Sequence, residues 1–168
     1  MFLTEPHKAY TKKTTEIPEA ALKILRNGFF AYLGTTEPGC DPHLTAMFFI
    51  WDDNSKSVYM VSTRKSRKVV NIRRNTRVCV TVDERDSKSP ARNCGVMIQG
   101  RAQLIEMEIA DSKVMVDFLA KYMQFLGPGY PMGSRIAIQV TPRKISYWMG
   151  ANFYQWKRQR LISQSTKL

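Results

Sequence analysis

SVYMVSTRKSRKVVNIRRNTRVCVTVD, residues 57–83, is the stretch from which the rest of the chain can be placed. Ser57 to Ser62 at its start and Arg77 to Asp83 at its end alternate apolar with polar side chains and are rich in valine. That is the pattern of strands half-buried against a core. Between them, Ser66 to Arg74 has no strand alternation, and serine has the side-chain chemistry of a helix N-cap. The stretch therefore predicts a strand, a short helix and a second strand.

On the N-terminal side, Phe29 to Thr35 reads as a strand, followed by the turn Glu37-Pro38-Gly39. His43 to Trp51 reads as its hairpin partner, closed by Asp52-Asp53-Asn54-Ser55. Further upstream, Pro18 opens a short amphipathic helix whose apolar side is Ala21, Leu22, Ile24 and Leu25, with Gly28 placed to end it. Residues 1–16 are polar and are expected to form a flexible arm.

On the C-terminal side, the polar loop ERDSKSPARN separates Asp83 from a strand expected over Gly95 to Met107. Val114, Phe118, Leu119 and Tyr122 then recur at helical spacing within Ile109 to Leu126. Gly127, Pro128, Gly129 and Pro131 break that helix. Arg135 to Thr141 and Lys144 to Met149 read as two last strands divided at Pro142. Short strands joined mostly by hairpins predict a mostly β domain, a six- to seven-stranded antiparallel barrel with flanking helices, over residues 17–150. A parallel βαβ sheet would need a helix after nearly every strand. Residues 151–168 are left as a basic C-terminal segment, expected to pack on a dimer partner.

At 168 residues, with 43% hydrophobic and 24% charged residues, the chain suits a single globular domain. Cys40, Cys79 and Cys94 are odd in number and lack metal-ligand spacing. Neither a disulfide framework nor a zinc site is expected, and His7 and His43 cannot build a multi-histidine metal centre. No signal-peptide pattern or membrane span is seen, so the expected location is cytoplasmic. The departure from average is charge: 26 Lys and Arg against 14 Asp and Glu give a formal +12. Such an excess calls for an anionic partner: nucleic acid, anionic lipid or a phosphorylated small molecule.

The charge is densest in RKSRKVVNIRRNTR, Arg64 to Arg77, which holds seven basic residues and no acid. Arg67 and Lys68 fall in the first helical turn, where cations oppose the helix dipole unless an anion sits there. Free backbone N–H groups, the Ser66 hydroxyl and these two side chains could converge on a phosphate. On its own the run reads equally as a solvated basic face. Arg143 to Leu168 is a second basic stretch, with six Lys and Arg.

VYMVSTRKSRKVVNIRRNTRVCVTVD, then GVMIQGRAQLIE and the earlier GFFAYLGTTEPGCDPHLTAMFFIWDD, resemble the flavin-binding split-barrel proteins related to pyridoxamine 5′-phosphate oxidase. The correspondence rests on Ser66-Arg67-Lys68, then Ile72-Arg73-Arg74-Asn75, with Thr76 where the family often has proline. It covers roughly residues 18–150. The resemblance implies an FMN-binding split barrel whose cofactor phosphate is held by Arg67 and Lys68, with Val61 and Ser62 from the preceding strand end. The family's two second-strand cations fall here on Ala46 and Trp51, so Ala46, Met47 and Phe48 would offer the flavin only backbone and apolar contact. Trp148 and Arg158 stand at the separation of two late flavin contacts. The family's substrate-binding Arg and His fall on Tyr154 and Trp156. The flavin pattern is thus mostly kept and the vitamin B6 pattern largely lost.

The resemblance further implies a homodimer with the cofactor at the interface, Trp148 and Arg158 serving the partner's site. The expected function is that of an FMN-binding, flavin-dependent oxidoreductase-like protein, with the hydride chemistry carried by the cofactor. No side chain stands out as acid, base or nucleophile, so no catalytic residue is assigned. A deazaflavin coenzyme could use the same basic site, and a haem relative would have only His7 and His43 as ligands. The alternative from another class is a single-stranded nucleic-acid-binding barrel, with FFAYLG and YQWKRQR as stacking and cationic surface. Charge concentrated at one helix start argues against nucleic acid as the partner. His43 itself is more simply a strand-start residue than a ligand.

Overall fold

A computed structural model describes residues 11–106, 112–127 and 134–159. In chain order the elements are β1 (Thr11–Thr14), α1 (Glu19–Asn27), β2 (Phe30–Thr36), β3 (Pro42–Phe48), β4 (Ile50–Asp52), β5 (Ser57–Thr63), α2 (Arg67–Arg74), β6 (Arg77–Glu84), β7 (Cys94–Glu106), α3 (Ser112–Leu126), β8 (Arg135–Met149) and β9 (Asn152–Lys157). The expected antiparallel split barrel is present, with nine strands in place of six or seven. One ladder, β1 on β9, is parallel, so the sheet is mixed.

Sheet order is β1-β9-β8-β7-β6-β2-β3, while β5 pairs with the first half of β8 and carries β4 on its other edge. β3 and β5 lie close together without a hydrogen-bonded ladder, and this gap is the split in the barrel. Inward side chains fill the centre: Leu33, Phe49, Met60, Val80, Ile98, Ile138 and Ile145 are fully buried. α1 adds Ala21, Ile24 and Leu25 to this core, and α2 adds Val69 and Ile72. Gly28 ends α1 as expected, but not through a left-handed backbone. A Cβ there would lie 2.6 Å from Val82 Cγ1 and 2.8 Å from Ile24 O, so close packing demands the glycine.

Four sequence expectations are corrected. The strand expected over His43 to Trp51 is broken at Phe49, β3 pairing with β2 and β4 with β5. The break is stable because Phe49 is fully buried and its backbone N–H donates to the Tyr122 hydroxyl (3.0 Å). That hydroxyl in turn lies 2.6 Å from Phe49 O and 2.9 Å from Phe29 O as a donor. The two strands expected around Pro142 are one continuous β8. Pro142 stands opposite Gly100, where the register shifts between Gln99 and Gly100, and a bulge excuses the proline from donating to the ladder.

Within the arm expected over residues 1–16, Thr11–Thr14 forms β1; residues 1–10 lie outside the described residues. It is anchored by Trp156 Nε1 donating to Thr15 O (3.1 Å), a tertiary bond with no local sequence signal. Within the C-terminal segment, Asn152–Lys157 forms β9 on β8 of the same chain. The start of the helix expected from Ile109 lies outside the described residues, as does His7.

α3 packs over the split. Val114, Phe118 and Tyr122 form a second buried cluster with Ile50, against which Phe29, Phe48 and Leu126 pack. Lys121 Nζ donates to Gly28 O (2.6 Å) and Phe49 O (3.3 Å) and lies 4.6 Å from the Phe49 ring centroid. Lys121 and Tyr122 together hold α3 to the end of α1 and to the β3–β4 break.

Candidate functional site

The split between β3 and β5 opens into a cleft of about 290 Å³. β3 supplies Ala46, Met47 and Phe48, β5 supplies Val61, Ser62 and Thr63, and α2 supplies Lys68. β2 adds Phe30, α3 adds Phe118 and Leu126, and β8 adds Arg135. One wall is thus aromatic and aliphatic, the other cationic and hydroxyl-bearing. Six of the nine sequence-predicted residues converge here: Ala46, Met47, Phe48, Val61, Ser62 and Lys68.

The polar wall is built by the strand-to-helix turn after β5. Ser66 caps α2 by position but not by its side chain: its hydroxyl lies 2.9 Å from that of Ser62, which is buried. The N–H groups of the first α2 turn therefore keep their capacity to bind an anion. Lys68 Nζ lies 3.4 Å from Ser62 Oγ, and burial pushes its ammonium below the usual lysine range. A cation that is destabilised by burial gains most from an anion placed beside it.

The other three predicted residues lie elsewhere. Arg67 does not line the cleft, is 60% exposed and lies 3.7 Å from Glu37. Trp148 stands on β8 across Gly95 of β7, where a Cβ would sit 2.2 Å from the indole. Arg158 follows β9, donating from Nε to Pro142 O (3.0 Å) and from Nη2 to Lys56 O (3.1 Å). His43 is likewise away from the cleft, with Nδ1 3.4 Å from both Thr35 Oγ1 and Thr45 Oγ1.

Sequence reasoning missed Phe30, Thr63, Phe118, Leu126 and Arg135. Arg135 reaches the cleft because β5 pairs with β8 in the register Thr63↔Arg135, across a sequence separation that no local motif spans. Phe118 and Leu126 were legible as an amphipathic helix but not as a cleft wall. Tyr154 and Trp156, which stand where the family has its substrate-binding pair, do other work. Trp156 is buried and bonded to Thr15 O, and Tyr154 packs 5.7 Å from Tyr147 between ring centroids. Among the described residues no group of His, Cys, Asp or Glu could hold a metal ion, and no helix is long and apolar enough to cross a membrane.

The pyridoxamine 5′-phosphate oxidase family profile matches residues 17–149, most of the chain. The chain belongs to that family. Solved structures agree at the level of fold. A conserved hypothetical protein of Mycobacterium tuberculosis aligns with TM-score 0.64 and 22% identity over 94% of this chain and 100% of its own. An F420 reductase aligns with TM-score 0.61 and 24% identity over 77% and 98%. A FAD-binding protein of Mesorhizobium loti aligns with TM-score 0.61 and 21% identity over 80% and 95%. No curated protein shows significant sequence similarity to the chain.

Proposed function

We propose that this protein binds a flavin-type cofactor, FMN in the first instance, in the cleft between β3 and β5 and acts as a flavin-dependent oxidoreductase rather than a vitamin B6 oxidase. The observation that carries the reading is the meeting of Lys68, Ser62, Arg135 and the free start of α2 with the apolar wall of Phe30, Met47, Phe48 and Phe118. The first group suits a phosphate and the second a planar ring system. When bound, the flavin would supply the electron and hydride chemistry. Lys68, Ser62 and Arg135 would hold its phosphate, and the aromatic wall would seat the ring and exclude water. Family membership and the names of the F420 reductase and FAD-binding neighbours support a flavin-type group; a deazaflavin is the competing form.

The cleft is small for an organic cofactor, since such sites usually span about 300–1,000 Å³. This supports completion by a partner in a homodimer. Trp148 and Arg158 lie outside their own protomer's cleft, as residues serving a partner's cofactor would. Exposed Phe30 and Tyr32 on the outer face of β2 offer apolar surface for the contact. The cytoplasmic location remains part of this reading.

The test is the visible spectrum of the purified protein before and after adding FMN or a deazaflavin, with its mass measured in solution. Flavin absorbance that co-elutes with a dimer supports the proposal. A colourless protein that takes up neither cofactor overturns it. A pH dependence is also expected. A bound phosphate raises the depressed Lys68 ammonium back toward its ordinary value, so binding takes up a proton in the alkaline range. Affinity should therefore fall as pH rises through the free protein's Lys68 titration, below the usual lysine value of about 10.4. Lys68→Met should flatten that fall, as read by flavin titration across pH.

A further inference from the structure

A second cavity, roomier than the cleft, is an open groove of about 1060 Å³ on the outer face of the sheet. Its floor is a row of paired positions across six strands: Leu44, Gly34, Cys79, Gln99, Lys144 and Lys157. Gly34 keeps the middle of the row low, since a Cβ there would lie 2.5 Å from Cys79 Sγ. Arg77, Arg143 and Arg158 bring the groove's cations to five with Lys144 and Lys157, and among the described residues no carboxylate lines it.

These charges are placed against one another. Lys144 stands directly opposite Lys157 across β8 and β9, and Arg77 opposite Arg101 across β6 and β7. Like charges opposed across a ladder destabilise a sheet. Arg77, Arg143, Lys144 and Lys157 form no ion pair with a described residue, and Arg158 is held only by neutral carbonyls and the Trp156 ring. Among the described residues the repulsion is left uncompensated, at a concave site with apolar Leu44 and Val78 beside it.

We propose that this groove is a second binding site, for a small molecule that carries two adjacent phosphates on an organic body, as a nucleoside diphosphate does. The Lys144–Lys157 pair together with Arg77, Arg143 and Arg158 carries more positive charge than one phosphate would neutralise, so two neighbouring phosphates suit it better. Leu44, Val78 and the glycine-lowered floor give the organic body a surface to lie on. The groove shares no residue with the protomer's own cleft, and of the residues given to the cofactor only Arg158 lines it. In the proposed dimer, Arg158 would set this groove beside the partner's cleft.

The probes are ADP, inorganic pyrophosphate, inorganic phosphate and adenosine, titrated calorimetrically at low salt into wild type, Lys144→Gln/Lys157→Gln, Arg77→Gln and Lys68→Ala proteins. ADP should bind, phosphate and adenosine should bind at least tenfold more weakly, and the double variant should lose at least tenfold in ADP affinity. Arg77→Gln should lose affinity too, which keeps the test decisive if the double variant misfolds. Without ligand, the double variant should melt at a higher temperature than wild type, because its like-charge pair is gone. Pyrophosphate binding as tightly as ADP supports the site with free diphosphate as the source; tighter ADP supports a nucleotide. ADP affinity that is unchanged in both groove variants, or a single-stranded oligonucleotide that displaces ADP from them and from wild type alike, overturns the proposal. Lys68→Ala should keep ADP binding while losing flavin, so failure of either site is read separately.

Discussion

Lys68→Ala is expected to raise the dissociation constant for FMN by about 10- to 100-fold, whereas Arg67→Ala should change it by less than about fivefold. A hydrogen bond to a charged group is worth about 1.5–3 kcal/mol, and each 1.4 kcal/mol is a factor of ten in affinity. Lys68 is half-buried, reaches the buried Ser62 hydroxyl at the bottom of the cleft and has no carboxylate partner there. Its ammonium is thus poised for a phosphate and poorly hydrated without one. Arg67, 60% exposed and beside Glu37, faces water, where such charges contribute about 0–1 kcal/mol. Quenching of flavin fluorescence on titration reads both constants. If Arg67→Ala proves the more damaging, the phosphate lies outside the cleft, at the exposed side of the α2 start, and the proposed cofactor position is wrong.

Tyr122→Phe should destabilise the fold by about 1–3 kcal/mol although it removes a single oxygen. That oxygen accepts the Phe49 N–H and lies in donating range of Phe49 O and Phe29 O, all at the break between β3 and β4. Tyr122 is fully buried, so no water can replace the hydroxyl, and the Phe49 N–H is left unpaired. For a chain of this size the melting temperature should drop by about 2–4 °C per kcal/mol. Tyr122→Ala should cost more, about 3–5 kcal/mol, since it also leaves a cavity among Phe29, Phe48 and Phe118. It should weaken flavin binding as well, because Phe118 and Leu126 on the same helix wall the cleft.

Burial pushes the Tyr122 phenol up to about 12, against the opposing bond to Phe49. The fold therefore favours the neutral phenol. That contribution is whole below the ordinary tyrosine value of about 10 and is lost as pH rises through about 12. Tyr122→Phe should remove this part of the alkaline decline, measured by denaturant titration at each pH. A decline of the same size in the variant would show that other groups carry it.

The short helix after Ser57 to Ser62 and the basic run within it were legible because both are local. N-cap chemistry, apolar spacing and charge density all act within a few residues. The resemblance around Ser66-Arg67-Lys68 brought Val61, Ser62 and Lys68 with it, since a strand-to-helix turn fixes its own neighbours, and counting back to the family's second strand brought Ala46, Met47 and Phe48. Trp148 and Arg158 were found by spacing from family contacts, and the structure sets both away from the cleft that Lys68 occupies. Spacing along a chain says nothing about which protomer, or which face of a sheet, a side chain meets.

What the sequence determined by itself was a mostly β fold, its helix positions and the place of its densest charge, because these follow from periodicity and short-range chemistry. Tertiary structure alone decided that His43 to Trp51 breaks at Phe49, that Pro142 sits inside one strand and that Arg135 joins Lys68. It also decided that Lys144 and Lys157 share a groove with Arg77. Each of these depends on strand register and on a distant partner, a tyrosine hydroxyl 73 positions away or a register shift against the neighbouring strand. Such pairings are chosen by the global packing of the barrel and leave no mark on the residues that flank them.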